Sequence, residues 1–386
     1  MLSAAKNVLI VSASIGSGHT QAARAIQAEL MLQSPGVNVQ VVDFMDGSSS
    51  YFNTILKEAY LKMIDIVPNM YDYLYRWSQA PLPGSNVKYM LAFIMKKMML
   101  RLLAKYKPDL VVFTHPFPCS AAAYLRRIKQ IQVPLAVVIT DFSLHGLWIY
   151  DEIDCYFVAS ERLKLQLVEQ GICGQSIYVT GIPTAAVFRQ RSNNLAYKAE
   201  LGLDGRPVLL IMGGGLGLGA MKEAIYHLNA VSRPLQMIVV TGHNTSLEKS
   251  LKAMAWQSGH SVKVLGYARN IKELMAVANL LITKPGGLTC SEAIVMELPL
   301  LLMDALPGQE QDNAAYLTQE GLALQLKDCT QMSTVVTRLL SQQHQLAAIK
   351  TKMREVRRPD AAIKIAHTVA YYLPGKPTQH SFAPTI

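Results

Sequence analysis

Short, continuously apolar runs alternate with helical segments along almost the whole chain. Residues 8–13 form the first such run, and residues 20–33 follow with the spacing of an amphipathic helix. A strand that is apolar on both faces is typical of a parallel sheet with helices packed on both sides. The repeated alternation therefore predicts an α/β fold built from doubly wound parallel sheets.

The apolar runs form two series, and the polar stretch 189–206 between them has no strand pattern. The predicted strands are residues 8–13, 37–43, 110–114, 135–140, 156–159 and 177–180 in the first series, and residues 208–212, 236–241, 262–265, 280–283, 300–303 and 323–326 in the second. We therefore predict two Rossmann-like domains that face a cleft, one over residues 1–188 and the other over residues 206–356. Clefts between domains are common ligand sites.

Composition excludes several classes of protein. The 386 residues are 51% hydrophobic and 17% charged, which argues against a disordered chain or a coiled coil. No apolar run reaches the roughly 18 residues of a membrane-spanning helix, and the N-terminus does not resemble a signal peptide. Five scattered cysteines without a C-x-x-C pair favour the reducing cytoplasm over a disulfide framework or a zinc site. The net charge of +10 suits anionic lipids, nucleic acids or phosphorylated ligands.

A glycine-rich turn that contains a histidine, residues 14–20, follows the first predicted strand. Gly16 and Gly18 allow the backbone to approach a ligand closely, and the following helix offers free N–H groups. Gln21 stands where a dinucleotide fingerprint needs glycine, and the turn lacks the lysine of a Walker loop. His19 is therefore either a helix cap or a general base, since imidazole titrates near neutral pH.

A second candidate cluster follows the predicted strand 135–140. Asp141 comes directly after this strand, and His145 and Trp148 follow within reach of one short turn. A carboxylate at the carboxyl edge of a parallel sheet is either the N-cap of the next helix or a site residue. Both interpretations of Asp141 stay open at this point.

Two motifs follow strands of the second series. Five glycines lie among residues 213–219, and such a loop either wraps a diphosphate in backbone N–H groups or is merely flexible. In residues 283–292 a glycine turn leads into a helix predicted to begin at Thr289, with Glu292 in its first turn. The Glu292 carboxylate could bind ribose hydroxyls or only complement the helix dipole. No Asp-x-Asp occurs, so the usual sequence sign of a metal-bridged nucleotide-sugar site is missing.

Residues 85–107 contain six basic residues and no acidic residue. Lys97, Arg101 and Lys105 would share one face of a helix. The apolar residues of the segment would lie on the other face: Leu91, Met95, Met98, Met99 and Leu102. This pattern predicts either a basic amphipathic helix that lies in a membrane surface or a core helix with a solvated face.

Taken in order, these motifs resemble the diacylglycerol glycosyltransferases, which include the monogalactosyldiacylglycerol synthases, in glycosyltransferase family 28. The resemblance is carried by residues 14–20, 140–148, 179–183, 283–292 and 307–313, and it extends from about residue 8 to about residue 371. It implies a two-domain GT-B fold in which the C-terminal domain binds a UDP-sugar. It also implies that a last helix, over about residues 359–373, packs back on the N-terminal domain.

The resemblance implies a role for each matching residue. His19 is the favoured base and Asp141 the competing one, because an ordinary aspartate is a much weaker base than imidazole. Four residues would contact the acceptor: Gly16, Gly18, His145 and Trp148. The donor would be bound by Gly213, Gly214, Gly215, Tyr267, Ala268, Gly286, Gly287, Leu288, Thr289, Glu292, Gln309, Glu310 and Asn313.

The implied reaction moves a hexose with inversion from a UDP-sugar to a hydroxyl of diacylglycerol or of a glycosyl-diacylglycerol. It implies no metal or other cofactor and no nucleic-acid partner. Because diacylglycerol stays in the bilayer, we expect a cytoplasmic enzyme bound peripherally to the anionic cytoplasmic face of the membrane, through Lys97, Arg101 and Lys105. Two alternatives stay open, an N-acetylglucosaminyltransferase acting on a polyprenyl-linked or other lipid and a non-catalytic nucleotide-sugar sensor. The donor also stays open among UDP-glucose, UDP-galactose and UDP-N-acetylglucosamine.

Overall fold

Two parallel sheets of six strands each form the framework of the protein. The computed structural model describes residues 5–14, 17–45, 87–190, 194–215, 217, 220–255, 258–303, 305–306 and 308–373. The first sheet has the order β2-β1-β3-β4-β5-β6 and consists of β1 (Lys6–Ser12), β2 (Val37–Asp43), β3 (Leu110–Phe113), β4 (Leu135–Val138), β5 (Cys155–Val158) and β6 (Ile177–Val179). The second has the order β12-β11-β10-β7-β8-β9 and consists of β7 (Val208–Met212), β8 (Gln236–Val240), β9 (Ser261–Leu265), β10 (Leu280–Thr283), β11 (Leu300–Leu302) and β12 (Ala323–Gln325).

Helices cover both faces of each sheet. They are α1 (Gly18–Gln33), α2 (Val87–Tyr106), α3 (Pro116–Arg127), α4 (Glu161–Glu169), α5 (Asn194–Glu200), α6 (Met221–Leu228), α7 (Thr245–Ala255), α8 (Ile271–Val277), α9 (Gly287–Val295), α10 (Gln309–Gln319), α11 (Met332–Ser341), α12 (Gln343–Val356) and α13 (Ala361–Tyr371). Below, the first domain is β1–β6 with the helices packed on them, and the second domain is β7–β12 with theirs. The prediction of doubly wound α/β sheets is confirmed.

All twelve predicted strands are present, and their ends differ from the predicted ends by at most two residues. Central strands such as β3 and β7 are buried along their whole length, which explains why their sequences are continuously apolar. In register, Ile10 lies opposite Val41 on one side and Val112 on the other, so β1 is sandwiched between two parallel neighbours.

Three helices begin before the predicted residue. The sequence pattern predicts a helix over residues 121–131, but helix α3 begins at Pro116. It begins there because Nδ1 of His115 accepts a hydrogen bond from Phe117 N (3.2 Å) and caps the helix. Helix α1 begins two residues early, at Gly18. Helix α9 begins at Gly287 rather than Thr289, so Glu292 lies in its second turn and not its first.

The linker between the sheets and the end of the chain join the two domains. The polar stretch 189–206 contains the short helix α5, which packs against α8 of the second domain. Helix α13 packs against α1, and its Ile365 and Val369 lie in one core with Val8 and Ile26 of the first domain. Helix α13 is therefore an integral part of the first domain.

Helix α2 belongs to the core of the first domain, where it packs against α3. Met95, Met99 and Leu102 are buried in this core, so the interpretation that the methionine face enters a membrane is wrong. Helix α2 has an apolar face because this face covers one side of the first sheet. Within the described residues, no helix is both long enough and apolar enough to cross a bilayer.

Candidate active site

The glycine-rich loops of the two domains meet across the cleft. A Cβ atom at Gly287 would lie 2.1 Å from the carbonyl oxygen of Thr140, and one at Gly215 would lie 2.4 Å from Ser17 Oγ. Glycine at these two positions therefore lets the loops after β7 and β10 touch the loops after β1 and β4. The carboxyl edges of both sheets face each other here, which is where parallel α/β sheets bind ligands.

His19 lies at this meeting point with one ring nitrogen already engaged. Its Nδ1 is 2.8 Å from the carbonyl oxygen of Thr114 and 2.7 Å from Thr140 Oγ1. Because a carbonyl oxygen can only accept, Nδ1 carries the hydrogen and donates it to Thr114. The lone pair of the neutral ring is therefore on Nε2, which is the atom that a general base needs.

The surroundings of His19 keep the ring neutral near pH 7. Burial lowers the pKa of this half-buried histidine, while Asp141 and the bond to Thr114 act in the opposite direction. The net direction is downward from the usual value of 6.5. His19 is thus in the deprotonated, base form at neutral pH.

Asp141 is buried, and side chains of the second domain bind its carboxylate. Nδ2 of Asn313 donates to Asp141 Oδ1 (3.0 Å), and Nε2 of Gln309 donates to Oδ2. Burial raises the pKa of Asp141, against the opposing effects of His19 and the two amides. Asp141 does not cap the following 3₁₀ turn, Gly146–Trp148, because Nδ1 of His145 accepts the capping hydrogen bond from Leu147 N (3.1 Å).

Two further histidines are in neutral form, His115 beside His19 and His145 near His115. The ring of His115 meets the ring of His19 edge to face, with centroids 4.7 Å apart. Burial and the neighbouring histidines hold the pKa of His115 well below 6.5, and burial lowers the pKa of His145 to about 4. Since both rings accept at Nδ1, both carry hydrogen on Nε2. Sequence reasoning missed His115, although its position directly after β3 at the carboxyl edge was a usable signal.

Lys284 is the second candidate that sequence reasoning left without a role. Its Cε lies 3.7 Å from the position that a Cβ on Gly214 would occupy, so the ammonium stem borders the glycine loop after β7. Nζ of Lys284 forms an ion pair with Glu310, whose other oxygen accepts from Leu306 N (3.2 Å). A cation beside a glycine-rich loop is suited to a diphosphate.

Glu292 projects from the second turn of α9 on the same side of the cleft. It is half-buried, and burial raises its pKa to about 8. Among the described residues, its carboxyl group has no hydrogen-bond or ion-pair partner. A desolvated carboxyl group without a partner is suited to binding ligand hydroxyls.

The remaining donor candidates fall into two groups. Tyr267 is 51% exposed and stacks on His243, with ring centroids 4.3 Å apart, while His243 N donates to Gly215 O (3.0 Å). This pair therefore flanks the glycine loop, and Ala268 lies half-buried beside it. Asn313 is 0% exposed, and its amide is engaged across the domain boundary.

Two acceptor candidates are less accessible than expected. Trp148 is 0% exposed and packs in the core of the first domain, so its side chain presents no surface to an acceptor. His145 is also buried. Gly18 lies at the domain contact, where a Cβ would be 3.5 Å from Leu288 Cβ. Gly16, Leu216, Leu218 and Pro307 lie outside the described residues.

Solved structures with this architecture are glycosyltransferases and sugar-nucleotide enzymes. MurG of Acinetobacter baumannii superposes with a TM-score of 0.61 at 16% identity, over 95% of this chain and 99% of that one. HepE of Anabaena in complex with UDP-glucose gives a TM-score of 0.57 at 14% identity, over 95% and 100% of the two chains. At this identity the similarity shows a common GT-B fold.

Sequence comparison identifies the family. The family model for monogalactosyldiacylglycerol (MGDG) synthase matches residues 19–184, and that for the glycosyltransferase family 28 C-terminal domain matches residues 208–365. A processive diacylglycerol beta-glucosyltransferase of Bacillus cereus (strain AH187) is 33% identical over 365 residues, covering 94% of this chain and 92% of the relative. Its counterpart in Bacillus mycoides (strain KBAB4) matches to the same extent. The chain therefore belongs to the diacylglycerol glycosyltransferases of glycosyltransferase family 28.

Proposed function

We propose that this protein transfers glucose from UDP-glucose to a hydroxyl of diacylglycerol or of a glucosyl-diacylglycerol, with inversion at the anomeric carbon. The names of its relatives support the sugar and the acceptor. The observation that carries the chemistry is the geometry of His19, whose Nδ1–H is fixed by Thr114 at the contact between the two sheets. The enzyme class follows from the family, and the acceptor, sugar and membrane contact are our proposals.

In this mechanism Nε2 of His19 removes the proton from the acceptor hydroxyl. The oxygen then attacks the anomeric carbon, and the bond from that carbon to the β-phosphate oxygen breaks. UDP leaves with the electron pair, and the imidazolium later releases its proton to solvent. General base catalysis of this kind contributes roughly 10²–10⁴ in rate.

The departing diphosphate gains negative charge, and the second domain offers groups to stabilise it. We assign this role to the backbone of Gly213–Gly215, to the start of α6 and to the ammonium group of Lys284. Oriented N–H donors at a developing oxyanion contribute about 10²–10³ in rate for each donor. We propose that no metal ion is required, so transfer should persist in excess EDTA.

The outward face of α2 supports a contact with the membrane. Its residues are not those of the buried methionine face. Lys97, Arg101 and Lys105 are exposed, and Phe93 and Ile94 on the same face are 53% and 50% exposed. Basic residues next to exposed apolar side chains are suited to the surface of an anionic bilayer. We propose that this face docks on the cytoplasmic leaflet and brings the cleft to its lipid acceptor.

The test is transfer by the purified protein to diacylglycerol in vesicles, with each of the three UDP-sugars supplied separately. We expect glucosyl-diacylglycerol, detected by mass, with the β-configuration in its proton couplings. His19→Ala should reduce turnover by at least about 10² while UDP still binds. His344→Ala, which changes an exposed histidine of α12, should leave turnover unchanged. Hydrolysis of UDP-glucose without glycolipid formation would contradict the proposal.

A further inference from the structure

Asn313 connects the two domains through one fully buried amide. Its Oδ1 accepts from Phe142 N (2.8 Å) and from Ser143 Oγ (3.4 Å). Its Nδ2 donates to Asp141 Oδ1 (3.0 Å) and to Pro285 O (3.2 Å). Three of these four contacts cross from α10 in the second domain to the segment after β4 in the first.

The polarity of the four contacts matches a primary amide and fits neither of its near-isosteres. The carboxylate of Asp141 and the carbonyl of Pro285 can only accept, while the backbone N–H of Phe142 can only donate. An aspartate at 313 would place an acceptor against two acceptors, and a leucine would remove the hydrogen bonds of Phe142 N, Pro285 O and Asp141 Oδ1 to this side chain. The position therefore needs a side chain that donates on one side and accepts on the other.

Packing around the amide is consistent with a fixed contact. The ring of Phe142 stacks on Tyr316 of α10, with centroids 5.4 Å apart and planes 11° from parallel. The side chain of Asn313 is 0% exposed, so it offers no surface to a sugar in this conformation. The sugar-binding role implied by the family resemblance is therefore not available to Asn313 while the domains are in contact.

We propose that Asn313 is a positioning residue, which joins the two domains in the closed arrangement and holds Asp141 as a carboxylate beside His19. This inference deepens the proposed function and rests on it. When the domains close, the amide of Asn313 reaches Asp141, and the negative charge of Asp141 then supports the proton that His19 accepts. Closure of the cleft and activation of the base are thereby one event.

The discriminating variant is Asn313→Asp, compared with the surface charge control Asn229→Asp. A carboxylate at 313 should repel Asp141 and Pro285 O, so the radius of gyration in solution should exceed that of the wild type when UDP is bound. Separation of the domains also admits water around Asp141 and His19, which screens the Asp141 charge that supports the His19 proton. We expect kcat to fall by about 10²-fold, because misplacement by about 1 Å can have this effect. The acidic limb of kcat/KM should also shift from its wild-type position, because both burial and the Asp141 charge set the pKa of His19.

A swap of the two residues separates position from charge. In Asp141→Asn/Asn313→Asp, an amide and a carboxylate again face each other, so the closed radius of gyration should be recovered relative to Asn313→Asp. The pH profile of kcat/KM should still differ from that of the wild type, because no carboxylate remains at 141. If Asn313→Asp fails to give a cooperative thermal transition, Asn313→Ala is used for the same three measurements, and we expect it to weaken closure in the same direction.

The outcomes distinguish this inference from the proposed function. If the wild type forms no glucolipid, the proposed function is wrong, whatever the variants do. If the wild type is active and Asn313→Asp raises KM for UDP-glucose without changing the radius of gyration or the pH profile, Asn313 is a sugar contact, and the positioning role is overturned.

Discussion

At the scale of single residues, the site depends on which atom of each polar group is already engaged. The carbonyl of Thr114 fixes the tautomer of His19, and backbone N–H groups fix those of His115 and His145. The sequence predicted His19 as a site residue, because histidine directly after a glycine turn is unusual. It could not predict the tautomer, because the fixing carbonyl comes from a strand that is 95 residues away in the chain.

We expect kcat/KM to rise with pH through the pKa of His19, which lies below 6.5, and then to reach a plateau. In the proposed mechanism the neutral ring is the active base, so protonation at low pH should remove activity. Asp141→Asn should move this limb to lower pH, because the Asp141 charge is what raises the pKa of His19 against burial. The measurement is kcat/KM from about pH 5 to pH 9. If Asp141→Asn abolishes turnover while His19→Ala retains it, the two roles must be exchanged.

Glu292 should bind the donor at a cost to the stability of the free protein. Its pKa is raised to about 8, so its contribution to stability is full below the unfolded value near 4.5 and is lost as the pH rises to about 8. Glu292→Gln removes this loss. The melting temperature of the variant minus that of the wild type should therefore be larger at pH 8.5 than at pH 5. Thermal melts at both pH values test this sign, and an equal difference at both would refute it.

The same carboxyl group should be required for UDP affinity. Removing it in Glu292→Ala leaves ribose hydroxyls without partners in a desolvated cleft, which corresponds to a loss of roughly 1–3 kcal/mol. Isothermal calorimetry with UDP measures this loss directly. An unchanged affinity, with circular dichroism showing an intact fold, would exclude Glu292 from the donor site.

At the scale of elements, strands were predictable and helix starts were less so. A buried parallel strand must be apolar on both faces, so its pattern is visible without any partner. The start of α3 depends on capping by His115, and a cap depends on side-chain geometry that composition does not contain. For α2 the sequence distinguished a basic face from an apolar face but not which surface each one meets. The structure shows that the apolar face packs against α3 in the core of the first domain.

Reversing the charges of Lys97, Arg101 and Lys105 to glutamate should abolish binding to anionic vesicles. The three side chains are exposed, so the fold and UDP affinity should be unaffected. Exposed charges act over about 8 Å at physiological ionic strength, so wild-type binding should weaken as salt is added. Co-sedimentation with phosphatidylglycerol vesicles measures the effect. Lys263, Lys327 and Arg338, which are exposed in the second domain, give a control with the same change in charge. Equal loss in both triple variants would mean that net charge alone is responsible.

At the scale of the whole molecule, the closed contact depends on the absence of one side chain. Gly287→Ala places a Cβ against the Thr140 carbonyl and must separate the domains, which we expect to reduce turnover by about 10²-fold. Gly36→Ala, in the turn between α1 and β2, is the control, because a Cβ there meets no atom within 4 Å. Steady-state kinetics of both variants tests this expectation, and similar activities would show that the cleft does not close to this distance in turnover.

The chain crosses between the domains at two places that lie side by side. A Cβ at Gly181 would lie 2.5 Å from Arg358 Cβ, so the segment that leaves the first domain touches the segment that returns to it. This arrangement positions α13 on Val8, Ile10 and Ile26. On the ribosome, those three side chains are synthesised before the second domain, while their covering helix is synthesised after it. The second domain can therefore finish folding while the first still exposes part of its core, and a chaperone that binds nascent chains would find its site on α1 and β1.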